Sequence, residues 1–198
     1  MLSLESLLRD WPRAGGETQV SAELRSANAD FQVDEELSFE ADGSGEHALL
    51  QIEKNGLNTQ DVVQRLARLS GRAERDIGFS GLKDRHAITC QWFSVGMAGA
   101  SEPDWGELNC NELAVKTVQR HQKKLRRGVH RQNNFKIVLR KLRGDIGGLE
   151  RRLQVVAEAG VPNYFGEQRF GIDGNNVVGG LAWMRGEARA PRRQRKGF

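Results

Sequence analysis

The alternation of apolar and polar residues along the chain predicts five short strands. Successive side chains of a strand point to opposite faces of a sheet, and β-branched and aromatic residues favour strands. The segments with this character are 30–39, 48–53, 88–95, 112–119 and 135–139.

Helical spacing of apolar residues predicts helices between these strands. Val62, Val63, Leu66 and Leu69 form one stripe on a helix over 58–70, and such a stripe usually packs on a sheet. Further helical patterns cover 149–159 and 176–185, and a short amphipathic turn covers 2–9. Because strands and helices mix without regular β-α-β alternation, the chain is predicted to be an α+β protein.

The segment 78–95, GFSGLKDRHAITCQWFSV, concentrates the chemistry of the chain. Glycines surround a charged cluster that precedes a predicted strand, and glycine allows another backbone or a substrate to approach closely. If the cluster is extended, Asp84 faces one way, while Lys83 and Arg85 face the other. The pattern fits a carboxylate in a pocket, and it also fits an ordinary solvated turn.

Charge is segregated along the chain. Residues 1–115 hold 10 Lys+Arg and 20 Asp+Glu, whereas residues 116–198 hold 20 and 6. The densest basic run is RHQKKLRRGVHR at 120–131. Such segregation indicates a basic face that contacts phosphate, unless the surface charges mix on folding.

Other features restrict the class of protein. The sequence contains no run of about 18 apolar residues and no secretory signal, so a soluble cytoplasmic protein is expected. Cys90 and Cys110 show no metal-ligand spacing and are expected to be buried thiols in a reducing compartment.

Several separated blocks resemble the TruD family of tRNA pseudouridine synthases. The segment 78–94 resembles the family pattern G-x-K-D-[RK]-x-A-x-T-x-Q. The other similar blocks are DFQVDE at 30–35, GEH at 45–47, KNGLNT at 54–59, HQKKLRRGVHRQNNF at 121–135 and VPNYFGEQRFG at 161–171. The resemblance implies a mixed, largely antiparallel sheet flanked by helices.

The resemblance also implies the site residues. Asp84 matches the family's catalytic nucleophile, while Phe31, Asn133, Lys83 and Phe135 match positions that bind substrate. Each has a structural alternative, since strand phenylalanines usually fill a core and asparagines often serve turns.

The implied reaction is the isomerisation of uridine, usually uridine 13, to pseudouridine in tRNA. The aspartate either forms a covalent adduct or removes a proton from the sugar, and the sequence leaves both routes open. The resemblance implies a monomer that acts on tRNA, with no metal, no small-molecule cofactor and no membrane partner. Lys and Arg of 120–131 would contact the tRNA backbone.

Members of this family are longer than 198 residues, and they carry an inserted second domain. The expected organisation is therefore an N-terminal part of the catalytic domain at 1–158 and the start of the inserted domain at 159–198, in a truncated chain. Three alternatives stay open. They are a non-catalytic RNA-binding module, an inactive fragment of such an enzyme, and a metal nuclease built on Asp84 and His86.

Overall fold

A computed structural model describes residues 20–162, 170–171 and 174–187. The turn predicted at 2–9 and most of the 161–171 block lie outside the described residues. The chain divides into two compact units, residues 22–141 and residues 142–197 with 1–21.

The described strands and helices alternate irregularly. The strands are β1 Val20–Leu24, β2 Phe31–Leu37, β3 His47–Asn55, β4 Ile77–Phe79, β5 Ile88–Gly96, β6 Leu113–His121, β7 His130–Ile137 and β8 Leu139–Gly144. The helices are α1 Thr59–Ser70, α2 Ile146–Ala159 and α3 Asn175–Met184.

The main sheet has the strand order β6-β3-β5-β2-β7, and β4 pairs with β5 beside this path. The pair β2–β5 is parallel, and the remaining pairs of the sheet are antiparallel. Strands β1 and β8 form a separate two-stranded ribbon. The prediction of an α+β fold with a largely antiparallel mixed sheet is confirmed.

Helix α1 covers part of one face of the sheet. Its stripe of Val62, Val63 and Leu66 is buried in one cluster with Leu50 of β3 and Phe93 of β5. Burial of each large aliphatic side chain contributes about 1.5–3 kcal/mol. The helix begins where the carboxylate of Asp61 accepts a hydrogen bond from the backbone N–H of Asn58 at 2.8 Å. It ends at Gly71, whose φ of 64° is the left-handed conformation that glycine adopts without strain.

The predicted strands differ from the observed ones at four places. Strand β7 is predicted over 135–139 and lies at 130–137, and β1, β4 and β8 were not predicted. The sequence HRQNNFKI of β7 has little apolar alternation, and the strand pairs along β2 alone. The pairing with β2 therefore determines that 130–137 forms a strand. Such a long-range pairing leaves no pattern in the local sequence.

An ion pair between a buried carboxylate and a half-exposed arginine fixes the start of β2. Arg140 donates to both carboxylate oxygens of Asp30 at 2.7 Å, and the Asp30 side chain is 1% exposed. The two residues are 110 positions apart in the chain. A bidentate guanidinium–carboxylate contact fixes geometry as well as charge.

The second unit contributes two described helices. The carboxylate of Asp145 accepts from the backbone N–H of Gly148 at 2.9 Å, so α2 begins three residues before the predicted position. Leu153 and Val155 of α2 are exposed. No helix in the described part of the chain is long and apolar enough to cross a membrane.

Candidate active site

Three of the predicted site residues lie on one face of the sheet at β2 and β7. The register pairs Val33 with Phe135 and Glu35 with Asn133, and directly opposed side chains point to the same face. Phe31 lies on this face too, because it is two residues before Val33. The Phe31 and Phe135 ring centroids are 6.0 Å apart with an interplanar angle of 57°. Phe135 is 59% exposed, so it offers an open aromatic surface.

Asp84 lies at the surface next to Arg25. Its side chain is 48% exposed, and Oδ2 is 3.6 Å from Nη2 of Arg25. The Arg25 guanidinium lies 3.9 Å from the centroid of the Phe31 ring, which is a cation–π contact. Arg25 therefore connects Asp84 to Phe31. Sequence reasoning missed Arg25, because a single arginine in an irregular segment carries no pattern.

Buried polar side chains fix the loop that carries Asp84. Thr59 Oγ1 accepts from the backbone N–H of Lys83 at 3.0 Å and donates to Gln91 Oε1 at 3.0 Å. Gln91 in turn donates from Nε2 to the carbonyl of Gly81 at 2.6 Å. Thr59 and Gln91 are both buried. The loop thus has a defined backbone before any substrate arrives.

Lys54 supports the same loop from within the protein. Its ammonium donates to the backbone carbonyl of Asp84 at 2.8 Å and to that of Leu57 at 2.7 Å. Burial lowers the pKa of Lys54 to about 8, against an opposing attraction to Asp84. Sequence reasoning missed this residue as well, since a lysine at a strand end is usually solvated.

Lys83 points into the protein. Its Nζ lies 2.5 Å from Glu35 Oε2, and the two side chains are 6% and 0% exposed. Glu35 also accepts from the backbone N–H of Trp92 at 3.2 Å. The structure thus places the ammonium of Lys83 against Glu35, while Asp84 is at the surface. This arrangement gives Lys83 a supporting position, and a direct contact with substrate stays a prediction.

Two buried polar atoms on this face lack a hydrogen-bond partner among the described residues. They are Oδ1 of Asn133 and Oγ1 of Thr89. Buried polar atoms normally have a partner, because an unpaired one costs about 1–3 kcal/mol. The Asn133 amide, on the strand that carries Phe135, therefore retains capacity to bond a ligand.

The basic run packs against the lead-in to the Asp84 loop. The backbone N–H of Leu125 donates to Ser94 Oγ, and that of Gly128 donates to the Ser80 carbonyl, both at 2.8 Å. Lys123 and Arg126 of this run are exposed and line a cavity of about 640 Å³. In the part of the chain that the structure covers, no group of three or more His, Cys, Asp or Glu side chains could hold a metal ion.

The chain is similar to known proteins over most of its length. The family model described as tRNA pseudouridine synthase D (TruD) matches residues 14–190. The tRNA pseudouridine synthase D of Methylococcus capsulatus is 52% identical over 168 residues, which is 85% of this chain and 48% of that protein. The protein of the same name from Cellvibrio japonicus is 46% identical over 193 residues, or 96% of this chain and 57% of that protein.

A solved structure agrees with the fold. The crystal structure of the TruD protein of Methanosarcina mazei superposes with a TM-score of 0.72 at 27% identity. The match covers 86% of this chain and 40% of that one. The chain thus spans about half the length of the curated relatives that it matches.

Proposed function

Since the chain belongs to the TruD family of tRNA pseudouridine synthases, we propose that the protein isomerises uridine to pseudouridine in tRNA. The proposal includes uridine 13 as the target and Asp84 as the catalytic nucleophile. One observation carries it. The exposed Asp84 carboxylate lies next to Arg25, which contacts the buried ring of Phe31. On the same sheet face as Phe31 are the exposed ring of Phe135 and the unpaired Oδ1 of Asn133.

The geometry supports binding of an unstacked base. A uracil taken out of its stack needs apolar contact on its faces and hydrogen bonds on its Watson–Crick edge. Phe31 and Phe135 supply the apolar contact, and Oδ1 of Asn133 is an acceptor for the uracil N3–H. Lys83 contributes by holding Glu35 on the neighbouring strand, next to Asn133 in the register.

The reaction needs a group that acts at the sugar. The bond between N1 of the base and C1′ breaks, the base turns, and a bond forms between C5 and C1′. The C5 proton leaves to solvent, and N1 gains a proton, so atoms and electrons balance without an oxidant or a cofactor. A carboxylate is ionised at neutral pH, so Asp84 can attack C1′ or remove a sugar proton.

The proposal also covers contact with the tRNA backbone, the state of the protein in the cell and its domain organisation. Cationic residues of 120–131 contact the tRNA backbone, and the protein acts as a cytoplasmic monomer without a metal or a small-molecule cofactor. Residues 1–158 belong to the catalytic domain, and residues 159–198 belong to the domain inserted into it.

The test measures release of tritium from C5 of uridine in tRNA by the complete protein. Asp84→Asn should lower the rate at least about 1,000-fold, because the nucleophile is lost while the shape is kept. Asp145→Asn is a matched control, since Asp145 is 51% exposed and lies 3.6 Å from Arg151, as Asp84 does from Arg25. Tritium release by Asp84→Asn at the wild-type rate refutes the assignment of Asp84 as the nucleophile. Binding of tRNA without any release by the wild type favours the RNA-binding module instead.

A further inference from the structure

Lys54 is a buried lysine whose two hydrogen bonds both go to carbonyl groups. Its side chain is 1% exposed, and Nζ contacts the carbonyls of Leu57 and Asp84. Among the described residues it has no carboxylate within ion-pair distance. Burying an ammonium group without a carboxylate partner costs several kcal/mol, so a methionine would suit a purely structural position better.

The location of Lys54 directs this charge to two backbone segments, one at Leu57 and the other in the loop that carries Asp84. Strand β3 lies between β5 and β6, and Lys54 is opposite Thr89 on one side and Leu113 on the other. Neither neighbour is charged. The charged groups that act on it are Asp84 and Lys83 from the loop, together with Asp61 from α1. Its ammonium is therefore directed at the loop that carries Asp84.

We propose that Lys54 is a positioning residue for the isomerisation, in which its ammonium fixes the backbone of Asp84 and so aims the carboxylate at the substrate sugar. The proposal rests on the proposed function. Hydrogen bonds from a charged donor are about twice as strong as those from a neutral one. Loss of the proton therefore loosens the Asp84 backbone while the aromatic pair and the basic run are unchanged.

The protonation state of Lys54 gives the proposal a measurable signature. Because burial lowers the pKa of Lys54 to about 8, the charged form predominates at neutral pH and is lost as the pH rises through 8. The rate of the chemical step should fall over the same range. A lysine in water titrates near 10.4, so an unsupported surface lysine gives no such decline below pH 9.

The experiment compares the complete wild-type protein with Lys54→Met in single-turnover tritium release, from pH 6.5 to 9. At pH 7 the variant should be about 100-fold slower with unchanged affinity for tRNA, since a displacement of about 1 Å has that cost. Its rate should also lack the wild-type decline near pH 8. Lys116→Met is the matched control, because Lys116 is a sheet lysine that is 45% exposed.

Three results overturn the proposal. They are a wild-type rate at pH 7 in Lys54→Met, an alkaline decline that persists in this variant, and a wild-type rate that is flat to pH 9. The last is measured without any variant, so failure of Lys54→Met to fold does not remove the test. An inactive Asp84→Asn beside a fully active Lys54→Met refutes this inference alone, whereas an active Asp84→Asn refutes the proposed function.

Discussion

Replacement of Lys83 by methionine should destabilise the fold far more than the charged sequence around Lys83 suggests. The variant leaves Glu35 as a buried carboxylate, 0% exposed, whose remaining partner among the described residues is the Trp92 N–H. Removing one member of a buried ion pair costs about 3–5 kcal/mol. With a denaturant slope of about 2 kcal/mol per molar, the urea midpoint should fall by about 1.5–2.5 M.

Equilibrium unfolding in urea, followed by circular dichroism, measures this loss. The pair of Lys116 with Glu53 is the control, because its atoms are 3.0 Å apart but the side chains are 45% and 40% exposed. Lys116→Met should cost less than about 1 kcal/mol. Adding Glu35→Gln to Lys83→Met should restore most of the lost stability, since no buried charge remains.

Two outcomes contradict this reasoning. A loss for Lys83→Met no larger than that for Lys116→Met means that the pair is not buried in solution. Unchanged stability with a raised KM for tRNA means that Lys83 contacts substrate directly, as the family resemblance implies.

Two further predictions concern packing and thiol chemistry. Gly78→Ala should lower the free energy of unfolding by about 1–3 kcal/mol, measured by thermal unfolding, because a Cβ there meets the Leu125 carbonyl and lies 2.6 Å from Ser94 Oγ. Gly81→Ala, whose Cβ meets nothing nearer than 3.9 Å, is the control, and an equal loss in both variants contradicts the packing argument. Iodoacetamide at pH 8 should alkylate Cys110 at least about 10-fold faster than Cys90, as peptide mass analysis would show. Hydrogen bonding from the Glu112 backbone, with Arg65 nearby, lowers the pKa of the exposed Cys110, whereas burial raises the pKa of Cys90 to about 11. Equal rates in the native protein contradict that assignment.

The expectation that both cysteines are buried was therefore right for Cys90 and wrong for Cys110. Cys90 lies in a strand whose apolar alternation reveals burial. Cys110 precedes β6, forms an isolated β-bridge with Leu113 and is exposed. A local pattern does not carry that information.

The candidate site likewise contains some residues that the sequence could predict and others that it could not. Helix α1 and strands β2, β3, β5 and β6 could be predicted because each carries its own apolar periodicity. Asp84 and Asn133 came from family blocks, and their placement stays a prediction until it is tested. Arg25 and Lys54 could not be found, because their contacts depend on segments 59 and 30 residues away. A single sequence does not show which distant backbone a lysine will reach.

The antiparallel pairing of β2 with β7 has a consequence for synthesis of the protein. Leu37 is opposite His130, so 93 residues must leave the ribosome before this pairing can begin. At about 5–20 residues per second, the nascent chain exposes an open edge of β2 for about 5–20 s. Asn133 and Phe135 arrive with the last of these residues. The proposed uridine pocket is therefore completed only after the rest of the sheet has been translated, and during that interval the bare strand is a template for aggregation.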